Sequence, residues 1–471
     1  MPDKPNVVLL FTDDQRFDTI AALGHPQIIT PNLDALVADG TTFTHAHIPC
    51  GTSGAVCMPS RAMLHTGRTL FHLEGAGQSI PAEHVLLGEA LAAAGYRTFG
   101  TGKWHNGTES FARSFTDGGD VMFGGMADHW NVPMCRFSPD GSYPDPTPAI
   151  NDPFSSNRMV ERIVDHVSFG KHSTEIVTDF TVDFIENYTA EAPFFTYTAF
   201  LAPHDPRSMP KRFLEMYDPD SIELPPNFLP RHPFPFGMEH GRDEMLAPYP
   251  RTESDTRRQI AEYYAMITHL DDAVGRIIAA LKTKGVWENT IIVFAGDNGL
   301  GVGQHGLFGK QNHYEHSVRV PLIFAGPGIP KGKRRAQYAY LLDIYPTVCE
   351  MLDVAPPATV EGKSLADIIV NDGPPVREEL YFALTHLLRG YKDRRHKLIL
   401  ASYQDRNHVQ LFDVIDDPWE MTDLAEDPKH AGLVQSHFEK LRAFRDRWDD
   451  RDTEFGKRFW NRFEDNGGLP R

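Results

Sequence analysis

The sequence predicts an α/β protein: a doubly wound, mostly parallel sheet flanked by helices, with a smaller C-terminal antiparallel sheet and a packed helix. Three observations predict it. Continuous apolar runs at residues 7–11, 193–201 and 290–295 have the pattern of strands buried on both faces. Helical periodicity alternates with them, most clearly over 257–284, where Ile260, Tyr264, Ile267, Leu270, Val274, Ile277, Ile278 and Leu281 recur at three- and four-residue steps. Polar clusters follow the strands, at the edge where doubly wound sheets bind ligands.

The elements follow in order. Strand 7–11 runs straight into Asp13 and Asp14. Thr30-Pro31 starts a helix that reaches Asp39 and stops at Gly40. A Gly-rich loop, 51–56, then delivers Cys57 to a helix start, with Pro59 in the first turn and Gly67 as the stop. Such a helix end offers free N–H groups to an oxyanion, and Arg61 lies one turn on. Residues 82–94, rich in Ala, Leu and Glu, read as a helix ended by Gly95. Strand 96–100 leads to Gly102-Lys103-Trp104-His105, where alternation in an extended segment projects Lys103 and His105 together.

Residues 106–171 lack periodicity and read as a long insertion over the active face. Its expected substrate contacts are His129, Trp130 and Arg136. Helix 175–187 and strand 193–201 follow, the strand ending at Pro203-His204-Asp205. A second, Pro-rich insertion spans 206–253, ahead of helix 257–284 and its Gly285 stop. Strand 290–295 ends at Asp297-Asn298-Gly299. The run Gly299-x-Gly301-x-Gly303 misses both nucleotide-loop spacings, because Gln304 stands where the first P-loop glycine would be. A strand over 318–324 is interrupted by Pro321, and 341–352 is a helix. The composition shifts at 371–375, which divides a catalytic domain, 1–373, from a small domain, 374–471. In the small domain 380–383, 397–401 and 409–413 read as strands. Residues 433–448 form a helix with Val434, Phe438, Leu441 and Phe444 on one stripe.

Composition narrows the function. The formal charge of −18 argues against a nucleic-acid surface and against a long polyanion lying across the whole face. Four cysteines, Cys50, Cys57, Cys135 and Cys349, have neither zinc-site spacing nor the density of a disulfide scaffold. No apolar run is long enough to span a membrane. The first apolar run is too short for a signal-peptide core, so the expected location is cytoplasmic, or periplasmic or secreted if an export signal has been removed. Asp13, Asp14, Asp297 and Asn298 offer only oxygen, which suits Ca²⁺ or Mg²⁺ rather than zinc. Lys103, Lys310, Arg61, His105 and His204 surround the same strand ends with cations and proton carriers. A divalent cation with fixed positive side chains suits a small, doubly charged or delocalised oxyanion.

The order Asp-Asp, Cys57-Met58-Pro59-Ser60-Arg61, Gly-x-Gly-Lys-x-His, the strand-end Pro-His, Asp-Asn-Gly and Gly309-Lys310 resembles the type I (formylglycine) sulfatases of the alkaline-phosphatase superfamily over about residues 5–328. The later run from Leu411-Phe412-Asp413 to Asp417-Pro418-Trp419-Glu420 resembles that family's small sheet domain. The resemblance implies that a formylglycine-generating enzyme oxidises Cys57 to an aldehyde whose hydrate is the nucleophile. It implies a Ca²⁺ site, with Mg²⁺ the alternative, formed by Asp13, Asp14, Asp297, Asn298 and the modified Cys57. Arg61 would orient the hydrate, and Lys103 and Lys310 would bind sulfate oxygens. His204 would protonate the leaving alcohol, and His105 would take the proton that returns the hydrate to aldehyde. Met58 departs from the small residue usual at that position. The implied substrate is a sulfated small molecule or a chain-end sulfated saccharide. The alternatives are a phosphonate monoester or phosphodiester hydrolase, an arylsulfatase- or choline-sulfatase-like enzyme, and a non-catalytic anion-binding relative. The sequence does not determine the oligomeric state.

Overall fold

The computed structural model describes residues 4–150 and 158–469; residues 151–157 of the first insertion lie outside them. Two sheets are built, in chain order, from β1 (Asn6–Thr12), β2 (Gly40–Phe43), β3 (Cys50–Gly51), β4 (Arg97–Lys103), β5 (Asp117–Met122), β6 (Phe194–Ala199), β7 (Thr290–Gly296), β8 (Leu322–Ala325), β9 (Lys333–Arg335), β10 (Leu380–Leu384), β11 (Leu388–Lys392), β12 (His396–Tyr403) and β13 (Arg406–Asp413). The main helices are α1 (Pro31–Asp39), α2 (Cys57–Thr66), α3 (Leu87–Ala93), α4 (Ser173–Asn187), α5 (Glu253–Lys284), α6 (Ile344–Met351), α7 (Ala431–Arg447) and α8 (Glu454–Asp465).

The large sheet runs β9-β2-β8-β7-β1-β6-β4-β5, and β8 alone runs against the rest. β1 is buried along its whole length at the centre. Period-two alternation divides it between two layers. Val8 and Leu10 pack with Leu33 of α1, Ile176 of α4 and Leu270 and Val274 of α5. Val7, Leu9 and Phe11 face Met63 and Leu64 of α2, Leu91 of α3 and Tyr345 of α6. This is the doubly wound architecture expected from the apolar runs. Among the described residues no helix is long and apolar enough to cross a membrane.

The expected irregular insertion at 106–171 is corrected. Its residues 117–122 are β5, the edge strand of the large sheet, and Asn131–Met134 pairs with His166–Phe169. Asp117, Gly118, Gly119 and Asp120 suppress the strand signal. The glycines are required by packing: a Cβ on Gly118 would lie 2.5 Å from Phe137, and one on Gly119 2.5 Å from Phe180. The helix expected over 82–94 starts only at Leu87, where Glu89 accepts from the Leu86 N–H at 2.8 Å. Pro321 divides residues 318–324 between two sheets: Arg319–Val320 pairs with Ala46–His47, whereas β8 joins the large sheet.

The small sheet runs β13-β12-β11-β10-β3 and is antiparallel except at its last pair. There β10 takes Cys50–Gly51, from the start of the chain, as a parallel edge. One apolar cluster runs through both sheets, from Phe11 and Tyr345 to Tyr381, Leu398, Leu441 and Trp460.

Two buried charge clusters join the layers, and both involve β11, a strand the apolar pattern missed. Arg389 forks onto Asp450 at 2.6 and 2.8 Å, and Asp450 also accepts from Tyr381 Oη and Trp460 Nε1. Glu315 lies 2.7 Å from Lys392 Nζ, 3.0 Å from Lys397 Nζ and 3.3 Å from His47 Nε2. Lys397 also reaches Glu420 at 2.9 Å. Burial pushes Lys392 down to about 8, with Glu315 opposing and Lys397 adding. Glu315 therefore compensates two buried ammonium groups. Glu315→Gln is expected to cost about 3–5 kcal/mol in urea denaturation, because it strands buried charge. Replacement of the exposed Glu378, which pairs with Arg394 at the surface, is expected to cost less than about 1 kcal/mol.

Candidate active site

Strand register brings the acidic groups together. Thr12 of β1 stands opposite Gly296 of β7, so Asp13-Asp14 and Asp297-Asn298 leave adjacent strands side by side. The Asp297 N–H donates to the Thr12 carbonyl at 3.0 Å, and the Asp14 N–H donates to Asp297 Oδ1 at 3.0 Å. Asp14 has a positive φ of 66°, which turns its side chain back over the strand ends. Tyr263 of α5 fixes that turn: its hydroxyl donates to the Asp14 carbonyl at 2.6 Å and accepts from the Arg16 N–H at 3.0 Å.

Cys57 is the first residue of α2 and is 2% exposed. Its Sγ lies 3.5 Å from Lys103 Nζ and 3.5 Å from His105 Nδ1. Lys103 also pairs with Asp13, and Lys310 Nζ donates to Asp14 Oδ1 at 2.6 Å. Arg61 is fully buried. Its Nε donates to Asp297 Oδ2 at 3.0 Å, its Nη2 lies 2.9 Å from the same oxygen, and its Nη1 donates to the Lys103 carbonyl and to Tyr197 Oη. Arg61 thus locks the metal-candidate carboxylate to the strand that carries Lys103. The Ser60 hydroxyl adds a 2.6 Å bond to the Asp297 carbonyl. His204 Nδ1 meets the Asp205 carbonyl at 2.7 Å, and its Nε2 lies 3.7 Å from Asp14 Oδ2.

The electrostatics follow from burial and pairing. Burial pushes the Cys57 thiol up, against the pull of Lys103 and Lys310. Burial and then the Asp13 charge lift Asp297 well above the usual carboxylate range. For Asp13 burial is outweighed by Lys103, His204 and Arg61, which hold it far below that range. His105 is kept neutral, first by burial and then by Lys103 and Arg61. Asp13 Oδ1 and Asn298 Oδ1 are buried and accept no hydrogen bond. Ligand atoms of Asp13, Cys57 and Asp297 lie within 4.8 Å of one another, as do those of Asp13, Asp14 and His204. Two orphaned oxygens among crowded carboxylates fit a hard divalent cation.

The structure therefore brings Asp13, Asp14, Cys57, Arg61, Lys103, His105, His204, Asp297, Asn298 and Lys310 to one place. Of the three expected substrate contacts, His129 sits beside Asp13, His204 and Asp205, while Trp130 and Arg136 make other contacts. His129 is buried with both ring nitrogens engaged, one by Ser173 Oγ at 2.6 Å and the other by the His204 carbonyl at 2.8 Å. It positions the His204 backbone. Trp130 packs edge-on against His172, and Arg136 is exposed, its N–H bound to Asp165. Sequence reasoning missed the frame supplied by the second insertion. Arg242 forks onto Asp205, beside His204, and Asp243 accepts at 2.7 Å from Gln311, which also holds the Gly54 carbonyl. None of these residues stands in a motif; only the adjacency of Asp205 to His204 pointed toward them.

Gly102 permits the close pairing that aims Lys103. Its φ is +90°, and a Cβ there would lie 1.9 Å from the Ala199 carbonyl oxygen. Gly102→Ala is expected to lose more than about 1 kcal/mol in urea denaturation and most of the site's activity. Gly95→Ala, at φ +94° with open space around it, carries the backbone strain alone and is expected to cost less and to leave activity intact.

A family model described as Sulfatase matches residues 5–354, and one described as N-sulphoglucosamine sulphohydrolase, C-terminal, matches 303–447. The chain is 27% identical to an ulvan-active sulfatase of Formosa agariphila over 93% of its own length and 81% of that protein. It is 28% identical to an arylsulfatase of Clostridium perfringens, over 92% of each. A solved structure of a protein in complex with its substrate D-glucosamine-2-N,6-O-disulfate superposes with a TM-score of 0.76 at 21% identity, over 97% of this chain and 100% of that one. The phosphonate monoester hydrolase of Agrobacterium radiobacter shares the fold at a TM-score of 0.71 and 23% identity, over 94% and 96%. With the family model spanning most of the chain and its strand-end cluster assembled in one cleft, this protein belongs to the sulfatase family, the sulfuric ester hydrolases of the alkaline-phosphatase superfamily.

Proposed function

We propose that this chain removes sulfate from a small or chain-end sulfated saccharide, using a formylglycine made from Cys57 and a Ca²⁺ held by Asp13, Asp14, Asp297 and Asn298. One observation carries the reading: Cys57, two lysines, two histidines and an oxygen-only cluster with two orphaned acceptors converge at the end of β1 and β7. The names of its relatives, which include an N-acetylglucosamine-6-O-sulfatase of Bacteroides thetaiotaomicron, support a saccharide. A hard cation in this cluster would neutralise the sulfate and acidify a hydroxyl beside it. Formylglycine would supply a geminal hydroxyl pair, so that one oxygen attacks sulfur and the other drives sulfate out.

The chain's own groups divide the remaining work. Lys103 and Lys310 place ammonium groups against the sulfate oxygens, as preorganised charge that costs no reorganisation during reaction. His204 donates its Nδ1–H to the Asp205 carbonyl, which leaves Nε2 facing the site to deliver a proton to the leaving oxygen. His204 stands between Asp14 and Asp205, with Nε2 3.7 Å from Asp14 Oδ2 and Nδ1 3.4 Å from Asp205 Oδ1, and His129 holds its backbone in place. Neutral His105, with Nδ1 3.5 Å from Cys57 Sγ, is set to accept a proton from the group at position 57. Arg61 fixes Asp297 beneath them.

The phosphonate monoester hydrolase fold neighbour makes phosphonate and phosphodiester turnover the second reading. A panel of defined sulfated mono- and disaccharides, aryl sulfates, phosphonate monoesters and phosphodiesters tests both. The expected result is highest kcat/KM on a saccharide sulfate, abolished in a folded Cys57→Ala variant, with a mass deficit of about 18 Da on the wild-type Cys57 peptide. Preference for phosphonate esters would reverse the substrate assignment, and residual turnover by Cys57→Ala would remove the nucleophile.

His204→Ala is expected to slow alkyl sulfates by about 10²–10⁴-fold, the usual worth of a general acid. The same variant should slow nitrophenyl sulfate far less, since nitrophenolate leaves without a proton. Equal losses on the two substrates would assign His204 another role.

A further inference from the structure

Away from the Cys57 cleft, Asp393, His396 and His437 bring three ligand atoms within 4.8 Å of one another. Asp393 comes from the turn between β11 and β12, His396 from the first residue of β12, and His437 from α7, which packs on that sheet. His437 is 3% exposed. Its Nδ1–H donates to the Leu433 carbonyl at 3.0 Å, one helical turn back, which fixes the tautomer and leaves a lone pair on Nε2. Nε2 stands 3.1 Å from Asp393 Oδ2, yet it is buried and makes no hydrogen bond.

Asp393 is held from behind. Its Oδ1 accepts from the N–H groups of Arg395 and His396 at 2.9 and 2.8 Å, so Oδ2 is the oxygen that meets His437. The partly buried His396 stands edge-on to His437, with ring centres 5.6 Å apart. The neighbouring cations are turned away, Lys392 onto Glu315, Arg394 onto Glu378 and Arg395 onto Asp413 and Asp416. A cation between Asp393 Oδ2 and His437 Nε2 would join the two elements that carry them. Two imidazole nitrogens and one carboxylate oxygen form a borderline donor set, suited to Zn²⁺ rather than to Ca²⁺. The Leu433 carbonyl and the two turn N–H groups are the kind of outer bonds that orient metal ligands.

We propose that Asp393, His396 and His437 form a second metal site, for a Zn²⁺-class ion, that pins α7 to the β11–β12 turn. The test strips full-length protein with a chelator and titrates it with Co²⁺ in saturating Ca²⁺, which keeps the hard-cation cluster filled. One equivalent of Co²⁺ with the visible absorption of a tetrahedral N/O site is expected, displaced by Zn²⁺. The band should vanish in His437→Gln and in His396→Ala and persist in Asp14→Asn. Zn²⁺ should raise the Tm of the wild type but not of His396→Ala, whose partly exposed position keeps the comparison meaningful even if His437→Gln misfolds. No Co²⁺ band in the wild type, or the same band and Zn²⁺-induced shift in His396→Ala, would overturn the site.

Discussion

The bond between Arg61 and Asp297 is the contact on which the cleft depends. Asp297 leaves β7 at the strand end, in a crowd of like charge, and is lifted by burial and by Asp13. Arg61 counters that crowding with two contacts to one carboxylate oxygen. It also ties α2, β4 and β6 together through the Lys103 carbonyl and Tyr197 Oη. The helix that starts at Cys57, the strand that ends at Lys103 and the strand that ends at Gly296 are therefore held in one geometry by one guanidinium. A lysine could not do this, since it lacks the planar fork.

The site reconciles an acidic protein with an anionic substrate. A net charge of −18 repels anions at long range, whereas the cleft concentrates Arg61, Lys103 and Lys310 within a few ångströms. Screening in physiological salt confines the general repulsion to about 8 Å, so short-range pairing decides binding of a small anion. A long sulfated polymer would feel the surrounding acidity along its length, which supports a compact or terminal substrate.

The cluster in the cleft was legible because its residues lie at strand ends, where apolar runs stop abruptly at polar groups. Asp13, Lys103, His204 and Asp297 all carry that signature. β11 was not legible, because Arg389 and Lys392 occupy buried strand positions and their partners, Asp450 and Glu315, come from remote segments. β5 was hidden by glycines that packing against Phe137 and Phe180 requires. The bonds His129 makes were hidden for a related reason. Sequence identifies an imidazole but not its neighbours, and here Ser173 and the His204 carbonyl consume both nitrogens.

The parallel pairing of β3 with β10 has a temporal consequence. Cys50–Gly51 leads directly into the loop that delivers Cys57, and its sheet partner is Ala383–Leu384, roughly 330 residues further along the chain. During synthesis at about 5–20 residues per second, the N-terminal segment waits on the order of 17–65 seconds for that strand to emerge. Through this interval Cys57 has no sheet edge to close it in, whereas in the finished protein it is almost wholly covered. Under the proposed oxidation of Cys57, a second protein acting on it would have its opportunity while the chain is still growing, and the last strands to arrive would end it.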